Sequence, residues 1–93
     1  MHDWELVSLH VEWAKGSLLM VFNTYKHGHV TLEATRLFNL IVPRFEEWGP
    51  SDAVNEVKGP TLLDNGNFLL EIEVQSGDRI IIEAGSIQMP INN

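Results

Sequence analysis

The sequence predicts one mostly-β domain: an antiparallel meander forming a small β-sandwich or barrel-like sheet. Three observations predict it. Apolar and polar residues alternate with period two over several segments. Residues that favour turns recur at short intervals from end to end. The length, 93 residues, suits a single domain spanning 1–93.

In the first element Val7, Leu9, Val11 and Trp13 alternate with Ser8, His10 and Glu12, which describes a half-buried strand. Ala14 to Ser17 reads as a tight turn, with Gly16 free to adopt positive φ. Leu18 to Phe22 is a continuous apolar run, short enough for a strand buried on both faces. Asn23 to Gly28 is the next turn. Val30, Leu32 and Ala34 then alternate with polar neighbours, and the same parity resumes at Phe38, Leu40 and Val42 after a break at Arg36. A long bent strand, or two strands meeting at a bulge, accounts for that break.

The competing reading is one short helix between Thr35 and Lys58, in which Leu37, Leu40 and Ile41 share a face. Thr35, Ile41 and Val42 favour strand, so the extended form is preferred. Trp48-Gly49-Pro50-Ser51 is a loop, and Val54 to Val57 a short extended piece. Lys58-Gly59-Pro60 reads as a further turn. Asn65-Gly66 suits a type I′ hairpin turn. Phe68, Leu70, Ile72 and Val74 alternate cleanly behind it. Gln75 to Asp78 is another turn, and Arg79 to Ala84 the return strand. Gly85 and Pro90 bracket a last short strand through Ile87 and Met89.

A domain of this size buries roughly 65% of the surface its unfolded chain exposes. There is no cysteine, so disulfides, thiolate metal sites and a cysteine nucleophile are excluded. The net charge is −7, from 13 acidic and 6 basic residues. That balance argues against nucleic acid and anionic membranes, and it suits a basic partner. The opening Met1 to Glu5 lacks the charge and apolar run of a signal peptide, and the expected location is cytoplasmic.

Trp48-Gly49-Pro50-Ser51-Asp52, with Val54-Asn55-Glu56 behind it and Gln75-Ser76-Gly77-Asp78 further on, resembles a group of small bacterial proteins of unassigned function. Their pattern is a Trp-Gly-Pro-Ser motif, a Val-Asn-Glu-like segment and a Gln-Ser-Gly-Asp turn. Asp3-Trp4 and Val11-Glu12-Trp13 also fit, so the resemblance covers most of the chain. It departs at Glu47, where a proline often precedes the tryptophan. The group is loosely similar to immunity proteins of bacterial toxin systems, and neither a partner nor an active residue comes with the resemblance.

Trp48, Ser51, Asp52 and Asn55 form the candidate binding set, a flat apolar face with polar anchors. The alternative is a structural corner, with Trp48 plugging the core. His27-Gly28-His29 is read as a turn, which Gly28 favours, rather than a metal site, because no further histidine or cysteine has ligand spacing. Glu71 and Glu73 are read as a solvated strand face rather than a catalytic pair. No nucleophile motif or phosphate loop is present, so catalysis, cofactors and metals are not expected. The functional expectation is a protein-interaction module, immunity-like, binding a basic toxin. The alternatives are a small-molecule or carbohydrate-binding β module centred on Trp48, and a structural homo-oligomer joined through an edge strand at Pro43 or near the C-terminus.

Overall fold

The computed structural model describes residues 3–44 and 53–90. Six strands form one antiparallel sheet: β1 (Glu5–Glu12), β2 (Ser17–Thr24), β3 (Gly28–Ile41), β4 (Val54–Leu62), β5 (Phe68–Val74) and β6 (Arg79–Gln88). Their order across the sheet is β1-β2-β3-β6-β5-β4. Two meanders, β1-β2-β3 and β4-β5-β6, are thus joined where β3 pairs with β6.

One face of this sheet is its core. Leu18, Met20 and Phe22 of β2, Leu32 and Ala34 of β3, Val54 of β4, Leu70 and Ile72 of β5, and Ile80, Ile82 and Ala84 of β6 form one buried cluster. Among the described residues no helix or second sheet covers that face, so the sheet curls over its own apolar side. Right-handed twist favours such coiling. Each fully buried Leu, Ile or Phe contributes about 1.5–3 kcal/mol. The curl stops short of a closed barrel. β1 and β4 remain the two ends of the sheet and meet at the bridge Glu5↔Ala53. That junction is held by Asp3 N–H donating to Val54 O (2.9 Å), Val54 N–H to Trp4 O (2.7 Å) and Gln75 N–H to Ala53 O (2.8 Å). Trp4 packs there against the core, its ring 6.1 Å from that of Phe22.

Several expectations change. Leu18 to Phe22 is buried on one face only: Leu19 is exposed and Val21 half-buried, because among the described residues nothing is layered on the outer side. In β1 a bulge between Leu6 and Ser8 resets the alternation. Leu6 and Leu9 pack on the core, while Val7 and Trp13 are exposed. The segment from Thr35 to Ile41 is strand, not helix. β3 is bent at Arg36, which has φ 52°, and its register shifts between Leu37 and Asn39. Lys58-Gly59-Pro60 is not a turn but an irregular stretch inside β4. This fits an edge strand, which can spare the proline's missing N–H. Ile87 belongs to β6 itself, which continues through Gly85. The sandwich gives way to the single sheet.

The β4–β5 and β5–β6 hairpins share one loop geometry. Gly66 N–H donates to Leu63 O and Leu63 N–H to Asn67 O; likewise Gly77 N–H donates to Val74 O and Val74 N–H to Asp78 O. Gly66 has φ 88° whereas Asn65 is not in the positive-φ region, so the turn is not the expected type I′, which needs both. Glycine fills the third loop position in each because that position is left-handed.

Candidate functional site

Alternation in β5 turns Leu70 and Ile72 inward and therefore Glu71 and Glu73 outward. Register then assembles an outer face across four strands. One row runs Glu56–Glu73–Arg79, the next Lys58–Glu71–Ile81–Ile41, and a third Thr61–Leu69–Glu83–Asn39. These rows hold four carboxylates against two cations, with Ile41, Ile81 and Leu69 between them.

The face is internally bonded. Arg79 Nη2 donates to Glu73 Oε2 at 2.8 Å, and Nη1 lies 3.7 Å from Glu71 Oε2. Asn55 Nδ2 donates to the other Glu73 oxygen, Oε1, at 2.8 Å. The Asn55 amide, then Arg79 and Lys58, hold the Glu73 carboxyl below its ordinary value against the partial burial that pushes it up. Glu83 Oε2 accepts from Asn65 Nδ2 (3.1 Å) and Asn67 Nδ2 (2.9 Å), while Asn67 N–H donates to Asn65 Oδ1 (2.9 Å). The β4–β5 loop is thereby tied to β6. Glu71 and Glu73 share the guanidinium of Arg79. A pair divided between general acid and general base needs environments that push the two carboxyls apart. Here one cation, Arg79, lies against both carboxylates.

Of the four predicted binding residues, Asn55 lies at the irregularity between Val54 and Glu56 and is committed to Glu73. Trp48, Ser51 and Asp52 lie outside the described residues. The structure thus joins Asn55 to β5, a contact the sequence reading missed. The signal available was the short extended piece at Val54–Val57, which placed Asn55 on a strand but left its neighbour open. His27 lies in the β2–β3 turn, where its N–H donates to Thr24 Oγ1 at 2.9 Å, and His29 is exposed on β3. Among the described residues no group of three His, Cys, Asp or Glu side chains could hold a metal ion, and no helix is long and apolar enough to cross a membrane. A shallow cleft of about 300 Å³ lies beside the end of β6, lined by Val30, Thr31, Glu33, Gln88 and Met89.

The fold defines a class: a six-stranded, open, curled antiparallel sheet. A crystal structure of an uncharacterized protein from Neisseria gonorrhoeae is similar to it, with a TM-score of 0.62 over 95% of this chain and 90% of that one. The two sequences are 16% identical, so the likeness concerns the fold alone. No protein-family model matches the chain, and no curated protein matches it.

Proposed function

We propose that the chain is a protein-interaction module whose acidic outer face docks a basic protein. The observation that carries this reading is the outer face of β4, β5, β6 and the end of β3, where Glu56, Glu71, Glu73 and Glu83 outnumber Lys58 and Arg79 around Ile41, Ile81 and Leu69. Carboxylates held by Asn55, Arg79 and the loop asparagines are ordered before a partner arrives, which lowers the entropy cost of docking. Apolar residues between them supply contact that excludes water, and the acidic surplus speeds encounter with a cation-rich surface. The resemblance to immunity proteins makes a basic toxin the favoured partner.

The test is co-purification from the source cell at low and high salt, comparing wild type with an E56K/E71K double variant. Both positions are on strand faces away from the core. The expected result is a basic protein retained at low salt by wild type, released by high salt and missed by the variant. Recovery of no protein at low salt, or equal retention by the variant, overturns the reading.

A further inference from the structure

The two edges of the sheet are built differently. β4 carries two register irregularities and Pro60, which has no N–H to offer a neighbouring strand. Bulges, prolines and lysines are the means by which proteins stop sheet edges from pairing with other chains. β1 has none of these from Ser8 to Glu12. After the bulge at Val7 its register against β2 is regular through Ser8↔Val21, Leu9↔Met20, His10↔Leu19, Val11↔Leu18 and Glu12↔Ser17. Its other side pairs, among the described residues, only at Glu5↔Ala53, beyond that run. Val11, opposite buried Leu18 and so on the core-facing side, is 41% exposed, and Trp13, the first turn residue beyond the run, is 91% exposed.

We propose that this edge is a self-association site, where β1 of a second copy pairs antiparallel about a two-fold axis through Val11. The commitment to a second copy comes from self-complementarity. A two-fold axis perpendicular to the sheet puts one residue opposite itself and keeps both core faces on the same side. With Val11 on the axis, His10 stands opposite the second copy's Glu12, and Glu12 opposite its His10. Leu9, half-buried against the core, stands opposite the second copy's Trp13. With His10 on the axis instead, two histidines face each other and Glu12, ion-paired to Lys15 of its own chain, stands opposite the second copy's Ser8. The Val11 register therefore joins polar pairs on the outer side and apolar pairs on the inner side. It continues the sheet into a twelve-stranded assembly, twice the six strands of one chain.

Two measurements test this. In sedimentation equilibrium, wild type is expected at twice its 10.5 kDa mass and V11K at the single mass, with unchanged far-UV dichroism. Because the chain has no cysteine, V11C supplies one thiol per copy. Directly opposed strand residues have the Cα separation a disulfide requires. Under mild oxidation V11C is expected to give a covalent dimer much faster than S8C, which the same register places away from its own copy. A wild type that stays monomeric at high concentration, a V11K protein that still sediments as a dimer, or equal cross-linking of S8C and V11C overturns the proposal.

Discussion

The side chain of Arg36 lies across the backbone of Gly85, and each residue explains the other. Arg36 Nη2 donates to Gly85 O at 3.1 Å, with the Arg36 backbone in the left-handed region at φ 52°. A Cβ on Gly85 would lie 3.0 Å from the Arg36 Cβ and closer still to its Nε. On either side, Thr35 pairs with Ser86 and Leu37 with Ala84. Inward-facing parity changes on both strands here, from Ala34 to Leu37 on β3 and from Ala84 to Ile87 on β6. This crossing lets β3 serve β2 with its first half and β6 with its second, which is what bends the sheet around its core.

Gly85→Ala is therefore expected to destabilise the domain by about 1–3 kcal/mol, the usual range for overpacking. Arg36→Gly removes both the obstacle and the left-handed strain, so the alanine is better tolerated in that background. A double-mutant cycle by urea unfolding should give a coupling energy of about 0.5–3 kcal/mol. Additive effects would show that the two residues do not share the crossing.

Glu73 has a pH signature. Its carboxyl is held below the ordinary glutamate value, first by Asn55. A depressed folded-state pKa contributes stability above the unfolded value, and that contribution disappears as pH falls through the folded one. Wild type is thus expected to be more stable than Glu73→Gln at neutral pH, with the difference closing in acid. Following the Glu73 side-chain carboxyl by NMR, Asn55→Ala should move its midpoint up towards the ordinary range. An unmoved midpoint would remove Asn55 as the main cause.

The bulge in β1 makes neighbours unequal. Leu6, opposite Phe22, packs on the core, whereas Val7 is 51% exposed. Leu6→Ala is expected to cost about 1–2 kcal/mol, less than a fully buried leucine. Val7→Ala should stay within about 0.5 kcal/mol. Urea midpoints at dilute concentration separate them, and the reverse order would place the strand in the unbulged register.

How far the fold could be read in advance varied with how local its causes were. The β5–β6 hairpin was legible because Phe68 to Val74 alternates without interruption and Gln75 to Asp78 carries its own turn chemistry. The first strand was legible as a strand but not as a face: Leu6, Val7 and Leu9 are all apolar, and only the pairing with β2 decides which two turn inward. Glu71 and Glu73 were placed outward by alternation alone, but nothing along the chain told Asn55 that Glu73 would be its neighbour. Trp48, Ser51 and Asp52 lie outside the described residues.

Residues within about a turn of one another determine period and strand-forming tendency, and from these the sequence alone determined a mostly-β, antiparallel fold. Arg36, Gly85, Gly59 and Pro60 look like interruptions when read in order, yet β3, β4 and β6 pass through them. A strand continues through an irregularity when the ladder and the buried face on either side outweigh one disrupted pair. That balance depends on strands distant in sequence, as does the choice between a sandwich, a closed barrel and the open curled sheet. It is the same long-range pairing that makes β1 and β4 the edges and leaves one of them regular enough to receive another strand.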